Sequence, residues 1–325
     1  MRPFCLALPA LAAALFFCLP AAASPPPPSD ADQAVRVEIY PRPVESWLEA
    51  QIALARMDYS CGAIDGVGGY QSSTALKAFQ DHEGIRANGQ LNSETRESLV
   101  LTSAPLTQMT LSAADLASLQ PLSPHWIGKS EQTALAYETA LEMVAERTHA
   151  NPKLIRQLNP GVDWSAVTPA TQLTVPAVAR TTARGTAERL HISLGDHVLE
   201  AFDADDNVIA HFPVSIGHIA EKRPNGELHV TAIIPDPDYT FDPANFPESA
   251  EARAIDHKLV LPPGPNNPVG VAWIGLDRPG YGIHGTPIPE QVGRTESHGC
   301  FRLTNWDARI LVELAWEGLP VDVDP

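Results

Sequence analysis

Cysteine is scarce. The 325 residues hold 4, and Cys5 and Cys18 fall within the first 20 positions. The remaining pair, Cys61 and Cys300, cannot form a disulfide scaffold or a structural zinc site. One bridge between them is open; otherwise Cys300 is a free thiol. No H-E-x-x-H occurs, and no metal or cofactor is expected. Positive charge is short as well, with 22 Lys+Arg against 39 Asp+Glu and a net charge of −17. Nucleic acid is thereby excluded as a partner, because phosphate binding needs a basic surface. An anionic membrane surface is disfavoured for the same reason. Beyond the first 20 residues no run reaches the roughly 18 apolar residues of a membrane span, so no stable membrane insertion is expected once that segment is removed. Hydrophobic residues make up 44% and charged residues 19%, enough apolar material for substantial cores and too much for pervasive disorder. At roughly 100–200 residues per domain, the length implies two or three.

The N-terminus sets the compartment. Arg2 precedes an apolar run from Phe4 to Pro20, and Ala21-Ala22-Ala23 supplies the small residues of a cleavage site. The pattern is that of an export signal over residues 1–23. An uncleaved anchor is the alternative, weakened by Pro9 and Pro20. The expected location is the periplasm or the extracellular cell-wall space. Residues 24–43, with Pro25 to Pro28, read as a Pro-rich linker.

A small all-α bundle is expected over residues 44–101. Trp47, Leu48, Ile52 and Ala55 recur at helical spacing; Asp65 to Gly69 is a turn; Ser73-Thr74 opens a second helix; Asn88-Gly89 is another turn; and Ser93 to Leu99 is a third helix. Residues 102–130 read as a linker. Residues 131–176 form an α+β module, with helices from Tyr137 and from Asn151-Pro152 and a strand at Thr171 to Pro176. Residues 177–187 are a further linker. From 188 to 325 the texture is mainly β, with one late helix between Trp306 and Trp316.

The chemistry concentrates between His284 and Arg302, in I-H-G-T-P-I-P-E-Q-V-G-R-T-E-S-H-G-C-F-R-L. A cysteine nucleophile needs a base to form thiolate and donors to hold an oxyanion. His284 and Cys300 are sixteen positions apart, a span that a loop can close. Gly285 and Gly299 let backbone approach a substrate. From spacing alone, a buried cysteine beside scattered histidines remains an equal reading.

Two resemblances bear on this. I-D-G-V-G at residues 64–68, T-A-L-K-A-F-Q at 74–80 and N-G-Q-L-N-S-E-T at 88–95 resemble the peptidoglycan-binding-domain-1 family, which implies affinity for wall glycopeptide. H-G-T followed by S-H-G-C-F-R-L resembles the YkuD-type L,D-transpeptidase catalytic domain, as does P-P-G-P-N-N-P-V-G at 262–270. Arg223-Pro224-Asn225-Gly226 departs from that family's usual Thr-Pro-x-Gly, and residues 236–256 look like an insertion shaping a lid. The resemblance implies Cys300 as nucleophile and His284 as its base, with the Gly285 carbonyl orienting the ring. Ser297, His298, Gly299 and Cys300 would form the oxyanion turn, and Arg302 would anchor a peptide carboxylate or order the loop. It also implies peptidoglycan, both stem peptides and glycan strands, as partner, and a thioester route to 3→3 crosslinks with D-Ala release. A carboxypeptidase or endopeptidase using water, or a non-catalytic wall-binding protein, are the alternatives. Helix–helix–strand with L-N-P-G and L-T-V-P endings resembles a degenerate LysM module, although its opening strand is not evident; an α-helical spacer is the alternative. His191, His211, His218, His229 and His257 read as strand-surface or loop residues.

Overall fold

Capping side chains fix where the first helices begin. In the computed structural model, which describes residues 38–179, 185–217, 223–295 and 299–325, the Ser46 hydroxyl accepts from the Glu49 amide and starts α1 (Trp47–Ala55). Asn92 does the same for α3 (Ser93–Ser98) through Thr95. Between them α2 (Tyr70–His82) begins at Gly69, earlier than the expected Ser73-Thr74 cap. Those two hydroxyls are engaged elsewhere, Ser73 donating to the Gly89 carbonyl and Thr74 to that of Gln71. Strands β1 (Arg42–Pro43) and β2 (Val100–Leu101) pair and tie the ends of this bundle together. Leu54, Leu76, Phe79 and Leu99 fill its core. Two buried glutamines pin its turns. Gln51 accepts from the Gly66 amide at 2.8 Å and donates to the Val67 carbonyl, while Gln80 accepts from the amides of Asn88 and Gly89. The turns therefore satisfy their inward-facing amides without water.

Residues 102–130, expected as a linker, carry structure: β3 (Leu106–Thr110), α4 (Ala113–Ala117) and α5 (Trp126–Ser130). There follow α6 (Ala140–Arg147), α7 (Pro152–Leu158) and β4 (Gln172–Pro176). β3 pairs antiparallel with β4, Leu106 opposite Pro176 through Thr110 opposite Gln172, a strand within the stretch read as a linker. Its signal was weak because L-T-Q-M-T buries neither face fully, so apolar and polar residues do not alternate. Both helices of the pair carry strong starts. Thr139 and Glu142 form a capping box for α6, and Asn151 caps α7 with Pro152 in its first turn. Met143, Val144, Ile155, Leu173 and Val175 form the core of this layer.

The mainly-β part is an eight-stranded sheet. Its strands are β5 (Arg189–Ser193), β6 (Val198–Phe202), β7 (Val208–Pro213), β8 (Gly226–Pro235), β11 (Ala272–Leu276), β12 (Gly282–His284), β13 (Phe301–Arg302) and β14 (Pro320–Asp324). The order is β13-β12-β11-β8-β14-β5-β6-β7. Helix α9 (Asn305–Leu314) buries Ile310, Leu311 and Leu314 against it. Between β8 and β11 the segment read as an insertion forms β9 (Tyr239–Phe241), α8 (Ala250–Arg253) and β10 (Leu259–Leu261), with β9 and β10 paired antiparallel. Phe241, Leu259 and Leu261 share a buried cluster with Leu135, and Trp126 of α5 stacks on Phe241 at 4.3 Å.

The sheet nearly closes on itself. Ser215, just past edge strand β7, exchanges both backbone hydrogen bonds with Arg302 of the opposite edge, each at 2.9 Å. The free side of β7 is covered by the first bundle: the His211 amide donates to the Asp58 carbonyl and the Ser60 amide to the His211 carbonyl. An exposed edge is thereby removed. His211, expected at a strand surface or loop, is instead 1% exposed in this joint, its Nδ1 3.0 Å from Glu200. A second bridge links Ile64 to Ala150 of the middle layer. The expected export signal (1–23), most of the Pro-rich linker, part of the 177–187 linker and His218 lie outside the described residues. No helix among the described residues is long and apolar enough to cross a membrane.

At the joint the Asp307 side chain is wholly buried in the first turn of α9 and accepts from the Ser60 hydroxyl at 3.0 Å. Burial pushes its carboxyl up to about 7, well above the ordinary 3.8. A group raised in the fold contributes stability that is complete below its unfolded pKa and is lost as pH rises through the folded one. Asp307→Asn should therefore raise the melting temperature at pH 8 and leave it near wild type at pH 4. Calorimetry at both values checks this; an equal shift at both would contradict it.

Candidate active site

Two short parallel strands set the geometry. Ile283 of β12 lies opposite Phe301 of β13, and His284 lies opposite Arg302. Side chains alternate along a strand, so His284 and Arg302 share a face, and Cys300, two positions before Arg302, returns to it. His284, Gly299, Cys300 and Arg302 line one cavity of about 570 Å³. Trp126, Tyr239 and Tyr281 contribute to its walls.

His284 ends β12 and is 5% exposed. Its Nδ1 lies 2.7 Å from the Gly285 carbonyl oxygen. A carbonyl only accepts, so Nδ1 carries the proton and Nε2 the basic lone pair. The ring stacks on Trp273, with centroids 5.7 Å apart. Burial, reinforced by the Arg302 charge and opposed by the Gly285 hydrogen bond, pushes the imidazole down to about 4. It is neutral at pH 7, the form a base must have.

Cys300 is half-buried, its Sγ 3.6 Å from the Gly280 carbonyl. Burial raises its thiol above the ordinary value, while a backbone hydrogen bond from Gly282 and the Arg302 charge pull the other way. The resting pair is thus neutral thiol and neutral imidazole, with a guanidinium held where it favours the thiolate. Burial lowers Arg302 in turn, opposed by Cys300 and Tyr239. Ser297 and His298 lie outside the described residues. Gly299 is placed at the cavity, and its Cα stands 3.0 Å from where a Cβ on Gly217 would sit, so the two backbones approach closely. Arg294 is exposed and does not line this cavity. Cys61 and Cys300 are both free thiols, which sets aside the bridge left open by the sequence. Cys61 is wholly buried and pushed up to about 12.

Gly285 has a steric reason. A Cβ there would fall 2.3 Å from Oδ1 of Asn305, the first residue of α9. That oxygen accepts from the amides of Thr286 at 3.1 Å and Val271 at 3.2 Å. Asn305 went unnoticed in the sequence, as did Trp126 and Tyr239. An asparagine after a helix cap carries no signal of its own, and the aromatics offered only their residue type, in segments read as linker and insertion.

Residues 187–323 match the family model described as the L,D-transpeptidase catalytic domain, YkuD. The C-terminal part of this chain is similar to that family. Residues 44–99 match the model described as "Putative peptidoglycan binding domain". The likeness extends to individual relatives. The chain is 24% identical over 185 residues to "Putative L,D-transpeptidase YkuD" of Bacillus licheniformis, covering 57% of this chain and 93% of that one. It is 30% identical over 178 residues to "Probable L,D-transpeptidase YbiS" of Escherichia coli K12, covering 53% of this chain and spanning only 56% of that relative's length. The solved L,D-transpeptidase of Xylanimonas cellulosilytica overlays with a TM-score of 0.36 at 15% identity, over 93% of this chain and 100% of that one, too loose a fit to carry an inference.

Two measurements probe the site directly. Titrating the folded protein with iodoacetamide should modify Cys300 and spare Cys61, with a rate still climbing above pH 9, the ordinary thiol value; equal modification of both thiols would contradict the described burial. Gly285→Ala should destabilise by about 1–3 kcal/mol through overpacking against Asn305, read by urea unfolding.

Proposed function

We propose that the chain is an exported L,D-transpeptidase that acts on peptidoglycan stem tetrapeptides, with Cys300 as nucleophile and His284 as base. The observation that carries this reading is the neutral His284, its Nδ1 committed to Gly285, on the same cavity as a thiol and beside Arg302. The reaction has two halves. Sγ attacks the carbonyl carbon of the third stem residue as its proton passes to His284 Nε2. The oxyanion is held by the backbone amides of Gly299 and Cys300. Collapse breaks the C–N bond, the imidazolium returns the proton to the departing D-Ala amine, and a thioester remains. An amine of a second stem then attacks the thioester, gives its proton to His284, and the C–S bond breaks to leave a 3→3 crosslink and the free thiol. Arg302 anchors a stem carboxylate, a role that a guanidinium fills in a fork geometry and that offsets the net charge of −17.

The family matches to a catalytic domain and to a peptidoglycan-binding module favour the wall as the site of action. The α6–α7 pair packed beside the β3–β4 ribbon supports a second, LysM-like glycan contact. An N-terminal export signal would deliver the protein to the periplasm or extracellular wall space.

Incubation of the purified chain with disaccharide-tetrapeptide, followed by mass analysis, tests the reading. Crosslinked dimers with D-Ala loss are expected. D-Ala loss without dimers would make water the acceptor and the enzyme a carboxypeptidase. Cys300→Ala should abolish product, and His284→Ala should lower kcat by about 10²–10⁴-fold; product persisting in Cys300→Ala would overturn the assignment, and a folded wild type with no product would leave a wall-binding protein.

A further inference from the structure

The peptide unit between Gly285 and Thr286 is held at both ends. Its carbonyl accepts from His284 Nδ1 at 2.7 Å, and its N–H donates to Asn305 Oδ1 at 3.1 Å. The rotation of that one plane therefore sets where the imidazole points. Asn305 is itself fixed. Oδ1 takes two amide donors, Thr286 and Val271, while Nδ2 donates to the Pro265 carbonyl at 3.1 Å and to Glu146 Oε2 at 3.0 Å. All four hydrogen-bonding positions of a side chain 1% exposed are filled, and its amide has only one orientation that satisfies them.

The last partner is the unexpected one. Glu146 belongs to α6 of the middle layer, in a part of the chain outside the residues matched to the catalytic family. It is anchored on its other oxygen by the Tyr137 hydroxyl at 2.9 Å. One turn earlier Glu142 accepts from Asn266 Nδ2 at 2.6 Å, so the same helix face grips a second asparagine of the loop that precedes β11. Around the Glu146 carboxylate stand Tyr137, Asn305, Glu142 and Arg309.

We infer that Glu146 is a positioning residue for the C-terminal site, acting through Asn305 and the Gly285–Thr286 peptide to hold His284 in its Nδ1–H tautomer and productive orientation. The middle module is then part of the catalytic machinery as well as a spacer or glycan contact. Oε2 of Glu146 is the acceptor that fixes one Nδ2 proton of Asn305, and losing it frees the amide to rotate. Misplacement transmitted to a catalytic group from outside the site costs on the order of 10- to 100-fold in rate.

This inference rests on His284 being the base. In the full-length chain, Glu146→Ala should lower kcat by roughly 10-fold or more with KM within about twofold, and should slow iodoacetamide modification of Cys300 at pH 8 by a comparable factor. Glu146→Gln, which keeps an acceptor oxygen at the same reach, should recover most of both rates. A purely structural role would lower the melting temperature without the split between kcat and KM and without rescue by glutamine. If Glu146→Ala does not fold, Glu146→Leu, which conserves volume, is measured by the same two rates. Unchanged kcat and modification rates in a folded Glu146→Ala or Glu146→Leu, while His284→Ala remains inactive, would remove the inference and leave the proposed function intact. Full activity in His284→Ala would remove both.

Discussion

Everything in the C-terminal site depends on the parallel pairing of two strands of three and two residues, Gly282–His284 and Phe301–Arg302. Strands that short have little stability of their own. They persist because they are closed in on both sides: β11 pairs with β12, and Ser215 hydrogen-bonds twice to Arg302 from the far end of the sheet. Near-closure of the sheet thus serves the site as well as the core. It puts the loop between β12 and β13 under constraint at both ends and leaves His284, Cys300 and Arg302 facing one cavity.

Burial does the electrostatic work. The imidazole is pushed down to about 4 and the thiol is raised, so neither is charged at rest. Arg302 is the one cation among the described residues of the cavity wall, and it favours the thiolate at the moment the proton leaves. The same logic recurs nearby: Glu146 and Asp307, both buried, are each raised to about 7, and both contact α9 or belong to its first turn. The start of that helix is where all three layers of the chain meet, with Ser60 from the first bundle, Glu146 from the middle layer and Asn305 and Asp307 from the sheet domain.

Much of the chain was legible because its signals are local. The turns at Asp65–Gly69 and Asn88–Gly89 were marked by glycine and asparagine, and both are where buried glutamines receive their amides. The stretch read as mainly β opens on the antiparallel strands β5 to β7, and α6 and α7 fall where helices were expected from Tyr137 and from Asn151-Pro152, α6 starting three residues late at Ala140. Strand β3 was not, because its two half-buried residues do not alternate, and a strand whose partner lies some 60 residues away is stabilised by that partner and not by its own pattern. His211 was misread for a related reason. It read as a strand-surface or loop residue, and nothing local announced that another module covers its strand.

The sequence by itself determined the chemistry available: a histidine and a cysteine flanked by glycines, an arginine two positions on, and the helices and turns whose caps lie within a few residues of them. Tertiary structure alone decided which groups become neutral, because burial is a property of what packs around a residue and not of its neighbours in the chain. It also decided that Asn305 and Glu146 stand behind His284. A hydrogen bond between positions 159 residues apart leaves no periodicity to read, and only the closed sheet and the packed α6–α9 contact bring its two ends within 3.0 Å.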